Sequence, residues 1–201
     1  MRKISILHRL TLLAAAHLAG YQIIRGLEGF GVWPSLYLTI AFGAIILSCL
    51  LLILFGFDIL GHRMVVVAAT LIPLSLSLGL ISLYLTRFHA AYAAFAVTGF
   101  ILVVVTRIFD TGKMATITLA SVHGIAGLVI FTLPLILSIR GNVPPLFVLV
   151  GFGGAVIGLA GLLLAFLRMD KPLLSQERIY SLMPLLLLVM TALFVIGMNA
   201  D

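Results

Sequence analysis

Charged residues are scarce in this sequence. Asp, Glu, Lys and Arg together make up 9% of its 201 residues, whereas about a quarter is usual for a soluble domain. Hydrophobic residues make up 63%, and the mean hydropathy is +1.32. This composition excludes an ordinary soluble protein and predicts a chain that lies in a lipid bilayer.

Cysteine is nearly absent as well. Cys49 is the only one, so an intrachain disulfide, a zinc site built from cysteines and an iron–sulfur cluster are all excluded. It lies within the apolar run 48–55. We expect it to pack against lipid or a neighbouring helix.

A clustered basic face is also missing, although the formal net charge is +6. Binding to nucleic acid needs such a face to supply the phosphate contacts. Here the cations are scattered among the ends of the apolar runs, which is the pattern that orients membrane proteins. We therefore expect the lipid bilayer, and not nucleic acid, as a partner.

No acidic residue lies inside an apolar run. Because proton relays and many cation-coupled carriers place Asp or Glu within the membrane, an ion pump or antiporter is disfavoured. No buried acid accompanies a Ser or Cys nucleophile to orient a histidine. We predict no catalytic residue, and the sequence leaves open whether the chain is an enzyme. The acidic residues are Glu28, Asp58, Asp110, Asp170, Glu177 and Asp201.

Seven long apolar runs occupy most of the chain. A membrane-spanning helix needs about 20 predominantly apolar residues, whereas the strands of a membrane barrel would alternate apolar and polar residues. We therefore predict an all-α integral membrane protein: a bundle of seven transmembrane helices without a soluble domain, forming one polytopic domain over residues 1–201. The predicted spans are 5–24, 35–56, 64–86, 90–106, 114–138, 146–167 and 179–198.

The first run carries His8, Arg9, His17 and Gln22, so a helix lying flat at the interface, with six spans in total, is the alternative. If the run spans, nine Lys and Arg residues lie on one side and three on the other; if it lies flat, the split is six to six. Since these residues favour the cytoplasmic side, we predict seven spans with the N-terminus inside and the C-terminus outside. We expect the plasma membrane of a bacterium or archaeon.

Small residues recur within the sixth run at spacings of four, three and four positions, which places them in a stripe along one face of the predicted helix. Small residues let a neighbouring helix approach closely in a membrane, so we expect this face to pack internally or against other membrane subunits. Prolines inside the third, fifth and seventh runs can kink those helices. The stripe is Gly154, Gly158, Gly161 and Ala165, and the prolines are Pro73, Pro134 and Pro184.

Two of the five histidines lie deep within predicted spans. His17 is about 18 Å and His123 about 14 Å from the inner ends of their runs, at 1.5 Å per residue. Glycines next to each histidine leave room for a flat macrocycle: Gly20 beside the first, and Gly124 and Gly127 beside the second. We therefore expect the two histidines to face each other at similar depth.

A facing pair of this kind favours haem. Haem iron is ligated by histidine imidazole, and a six-coordinate haem between two helices takes two such ligands. We predict His17 and His123 as the iron ligands of a b-type haem, with Arg9 or Lys113 near its propionates. The alternatives are ligation through His8 or His89, a quinone in place of haem, and plain hydrogen bonding of the histidines to Thr, Ser, Tyr or carbonyl groups.

Loop residues at the predicted inner side supply a second polar group. An Asp–His pair there is too small for a specific metal site, so solvated loop ends or contacts with lipid head groups are expected. The residues are Asp58, His62, Arg63, Arg107, Asp110 and Lys113.

Three functions remain open. The first is a subunit of an electron-transfer complex that bears a b-type haem or lies next to a quinone. The second is a non-catalytic accessory or scaffold subunit of a membrane complex, which the small-residue stripe and short loops favour. The third is a carrier or channel for a small solute, which the prolines and the basic inner loops favour.

Overall fold

The computed structural model describes residues 4–25, 29–168 and 173–199. Within these ranges the chain forms seven α-helices, three short 3-10 turns and no strand. Each helix begins and ends within three residues of a predicted span, so the all-α prediction is confirmed. The helices are α1 Ile6–Arg25, α2 Val32–Phe55, α3 Arg63–Tyr84, α4 His89–Ile108, α5 Lys113–Ile139, α6 Val148–Arg168 and α7 Gln176–Met198.

Six of the helices, α2 to α7, are long and apolar enough to cross a membrane, which indicates a membrane protein. Helix α1 has 20 residues, so at 1.5 Å per residue it is about as long as a hydrocarbon core is thick. It is not among the six because His8, Arg9, His17 and Gln22 lower its hydropathy.

The helices pack in a closed order. Helix α1 packs against α2 and α7, and the order continues from α2 through α3, α5 and α6 back to α7. Helix α4 packs mainly against α3 and α5. The larger core lies inside this ring and contains Phe42 and Phe194, both fully buried, while a smaller core between α3, α4 and α5 contains Val103 and Ala126.

Contacts at each end of the bundle show that α1 runs its full height. Where α1 begins, the His8 ring packs edge-on against Phe57 at 5.6 Å, and Phe57 stacks on Tyr180 of α7 at 5.8 Å. Where α1 ends, Gln22 is hydrogen-bonded to Asn199, which follows α7. We call these the amino end and the carboxyl end of the bundle.

Four residues noted in the sequence lie in the interior. Cys49 is fully buried, so it packs against neighbouring helices. The three prolines lie within continuous helices and are buried there. The carrier or channel function that they favoured stays a prediction.

Six charged residues of the sequence lie outside the described part of the chain. They are Arg2, Lys3, Glu28, Asp170, Lys171 and Asp201.

Candidate functional site

His17 lies on the outer surface of the bundle. Its side chain is exposed, and at about 100° per residue it is on the face of α1 opposite the buried one. It is about 16 Å along the helix from Ile6 and about 12 Å from Arg25, at 1.5 Å per residue. The buried face of α1 consists of Leu12, Ala15, Ala19 and Gln22.

The His17 ring is held by its own helix. Its Nδ1 lies 2.8 Å from the carbonyl oxygen of Leu13. Because a carbonyl only accepts hydrogen bonds, Nδ1 carries the proton and donates, and the lone pair is left on Nε2. This is the arrangement in which a histidine can ligate a metal through Nε2.

His123 is half-buried on α5 and has the same local geometry. Its Nδ1 lies 3.1 Å from the carbonyl oxygen of Leu119, so Nε2 again keeps the lone pair. Arg107 of α4 lies within electrostatic range of the ring. His123 therefore belongs to the part of the bundle formed by α3, α4 and α5.

The two histidines are not brought together. Helix α1 packs against α2 and α7, whereas α5 packs against α3, α4 and α6. The expectation that the two rings face each other is corrected here, because His17 points away from the bundle and not toward α5. Haem binding itself stays a prediction, and within one chain this pair does not form the site.

The residues predicted to surround the haem are all accessible. A Cβ atom added at Gly20, Gly124 or Gly127 would have no described atom within 4 Å apart from its chain neighbours and the backbone of its own helix. Beside each histidine there is therefore open space on the bundle surface, and the use of that space by a haem stays a prediction. Arg9 and Lys113 are exposed near the amino end, where the propionates were expected.

The alternative histidine ligands already have aromatic neighbours. At the carboxyl end, His89 Nε2 lies 3.1 Å from the hydroxyl oxygen of Tyr37, and Trp33 stacks on Tyr37 at 6.1 Å. At the amino end, His8 contacts Phe57. These contacts tie helix ends together, which is the plainer interpretation of both histidines. Both alternatives stay predictions.

The glycine stripe of α6 divides into two parts. A Cβ at Gly154 would lie 2.7 Å from Ile130 Cγ2 of α5, so this glycine is needed for internal packing. At Gly158 and Gly161 a Cβ would meet nothing within 4 Å. These two glycines are thus left open on the outer surface, while the surroundings of the Ala165 side chain lie outside what the structure describes.

One buried polar contact was missed by the sequence analysis. Gln22 is fully buried, and its Oε1 accepts a hydrogen bond of 2.6 Å from Asn199 Nδ2, which also donates to the Val195 carbonyl at 2.7 Å. The available signal was a glutamine within an apolar run, facing the same way as Ala15 and Ala19. This contact joins the first helix to the last.

Within the described ranges, no three His, Cys, Asp or Glu side chains come close enough to hold a metal ion. Comparison with known protein families, characterised proteins and solved structures found no match to this chain.

Proposed function

We propose that the chain crosses a membrane seven times, with its N-terminus in the cytoplasm and its C-terminus outside. Support comes from α1, which runs the full height of the bundle between α2 and α7. It also comes from charge, because six of the described Lys and Arg residues lie at the amino end and three at the carboxyl end. Since these residues prefer the cytoplasmic side, the amino end is the inner one.

Single cysteines test this topology. Ser5→Cys and Asn199→Cys are introduced separately into a Cys49→Ala background, and intact cells are treated with a membrane-impermeant maleimide. We expect the residue-199 variant to be labelled directly and the residue-5 variant only after permeabilisation. Labelling of both from the same side would contradict seven spans.

We further propose that the chain is a non-catalytic subunit of a larger membrane assembly. The observation that carries this is His17, which faces outward near the middle of a helix about as long as the bilayer is thick. Polar side chains at such depth are costly in contact with lipid and almost always face protein or a water-filled cavity. A partner helix over this face of α1 would remove that cost.

The spacing on the outer face of α1 supports the same function. Its residues follow one another at three, four, three and four positions, which is the repeat of a helix seam that packs against another helix. The bulky His17 is followed by Gly20, which leaves room for a partner side chain. The seam consists of Leu10, Leu13, His17, Gly20 and Ile24.

The open glycines supply a second contact face. A helical glycine is less favourable than alanine by about 1 kcal/mol, and close helix approach explains this cost at Gly154. At Gly158 and Gly161 no contact among the described residues explains it. Because small residues serve helix association in membranes, contact with another subunit accounts for these two.

Native extraction tests the assembly. Membranes are solubilised directly into polymer-bounded lipid discs, and the mass of the complex is measured for the wild type and for His17→Leu and Gly158→Ile. We expect a defined complex well above the 21.6 kDa of the chain, and smaller particles for both variants. Gly43→Ile is the control, because it adds the same bulk in open space on α2 at a glycine that belongs to no stripe of small residues. A monomeric wild type would contradict the proposal.

The hydrogen bonding of the two histidines favours a second candidate, a haem-bearing or quinone-proximal subunit of an electron-transfer complex. His17 and His123 both keep Nε2 available for iron or for a quinol hydroxyl. Because His17 faces outward, a six-coordinate haem there would take its other axial ligand from a partner chain.

An absorption spectrum of the native complex, oxidised and reduced with dithionite, tests this candidate. We expect a b-type band that is lost in His17→Ala or His123→Ala and retained in His62→Ala, which changes an exposed histidine. An intact complex without such a band would contradict haem binding.

A further inference from the structure

A small pocket opens at the amino end of the bundle, where α3 begins and α4 ends. Its volume is about 370 Å³. It lies apart from His17, from the glycines of α6 and from the Gln22 contact. The lining residues are Gly61, His62, Arg63, Met64, Arg107 and Ile108.

The pocket carries more positive charge than its surroundings neutralise. Arg63 Nη2 donates to Asp110 Oδ2 at 2.6 Å, but a guanidinium has five N–H groups, so most of its donors remain. The Nε atom of Arg107 is buried without a hydrogen-bond partner among the described residues. Lys113 follows three residues after Asp110, whereas Asp58, the other nearby acid in the sequence, does not line the pocket.

The backbone adds to this positive character. Helix α3 begins at Arg63, and its N-cap residue His62 makes no side-chain capping bond. The first N–H groups of a helix lie at the positive end of its dipole. In α3 those of Val65 and Val66 donate to the His62 carbonyl, whereas the earlier ones, of Arg63 and Met64, have no acceptor within the helix. No acidic residue occupies the first turn of α3, so no side-chain charge in that turn neutralises the positive end of the helix dipole.

We propose that this pocket binds a phosphate group with net negative charge, supplied either by the head group of an anionic lipid or by a free phosphate. Guanidinium groups match phosphate oxygens in geometry and can bind two of them at once. Unpaired N–H groups at a helix N-terminus also bind phosphate. A metal cation would be repelled by the two arginines.

Exposed apolar side chains border the charged groups. Met64 is 57% exposed and Ile108 is 54% exposed. If the phosphate belongs to a lipid, these side chains can contact the start of its acyl chains. Basic pockets between transmembrane helices on the cytoplasmic side bind anionic lipid head groups in this way.

Native mass spectrometry of the full-length protein measures lipid binding. The protein in detergent is titrated with phosphatidylglycerol, and with phosphatidylcholine, whose choline neutralises its phosphate. We expect phosphatidylglycerol to bind more tightly to the wild type, and Arg107→Gln to weaken this binding by about tenfold or more, because charged hydrogen bonds are lost. Asp110→Asn is expected to strengthen it by releasing Arg63.

Two further variants keep the test decisive. Arg63→Gln changes a side chain that is 54% exposed, so it should fold even if the half-buried Arg107 does not tolerate substitution. Arg140→Gln is the matched control, because it removes an exposed arginine at the carboxyl end. Equal loss of binding in Arg140→Gln and in the pocket variants would overturn the proposal.

Inorganic phosphate distinguishes the two sources. It is titrated calorimetrically into the protein in phosphatidylcholine discs. Binding of phosphatidylglycerol without binding of inorganic phosphate assigns the pocket to a lipid. Binding of inorganic phosphate that is lost in Arg107→Gln or Arg63→Gln supports the pocket with a soluble source. Failure of both ligands to bind above the phosphatidylcholine level would refute the site.

Discussion

Alanine substitutions one turn apart on α6 should differ in their effect on stability. We expect Gly154→Ala to destabilise the folded bundle and Gly158→Ala to be neutral or stabilising. Each substitution raises the free energy of unfolding by up to about 1 kcal/mol, because alanine has a better helix propensity than glycine. The difference between the two variants therefore isolates the space available at each position.

The size of the destabilisation expected for Gly154→Ala follows from the surroundings of the added methyl group. At residue 154 it would lie 2.7 Å from Ile130 Cγ2 and 3.2 Å from the Ile130 carbonyl carbon. Ile130 is fully buried, and its backbone cannot shift without moving α5. Overpacking of this kind costs about 1–3 kcal/mol, which corresponds to a difference in unfolding midpoint of about 2–12 °C for a chain of this size.

The only cysteine provides the assay. Cys49 is fully buried, so a dye that becomes fluorescent on reaction with a thiol reports unfolding as the temperature rises. Both variants and the wild type are heated at one scan rate in the same detergent, since such unfolding is often irreversible. A Gly154→Ala midpoint equal to or above that of Gly158→Ala would show that α5 and α6 do not approach closely here.

Three further outcomes are expected. Asn199→Ala should lower the free energy of unfolding by about 1 kcal/mol, because Gln22 loses a hydrogen bond; an unchanged midpoint in the same thiol assay would contradict this. Cys49 in the native protein should react slowly with a membrane-permeant maleimide and become fully reactive in denaturing detergent, and rapid native labelling would argue against its burial. Trp33 fluorescence should be quenched more by lipids brominated near the head group than by lipids brominated at the chain end, since Trp prefers the interface.

The helix limits were predictable because each apolar run is bounded by charged or turn-forming residues. Arg63 and Lys113 begin α3 and α5, and Arg25 and Arg168 end α1 and α6. Length and composition alone were enough to predict the helix ends. A charged residue is costly in a membrane interior whatever its tertiary contacts are, so charges in the sequence mark the ends of the apolar helices.

The direction in which each helix faces was not predictable in the same way. In α1, one seam passes through Leu12, Ala15, Ala19 and Gln22, and an opposite seam passes through His17 and Gly20. Both are apolar enough to be buried, so the sequence does not distinguish the inner from the outer seam. The depth of His17 follows from its number of residues from the start of the helix. Its orientation depends on α2 and α7, which pack against the opposite face of α1.

The hydrogen bond between Gln22 and Asn199 has a consequence for biogenesis. These residues are separated by 177 positions, so α1 is synthesised long before its partner. Until α7 arrives, the buried face of α1 has only α2 beside it, and Gln22 lacks the amide of Asn199. Synthesis of α7 would then allow the first and last helices to join and close the ring.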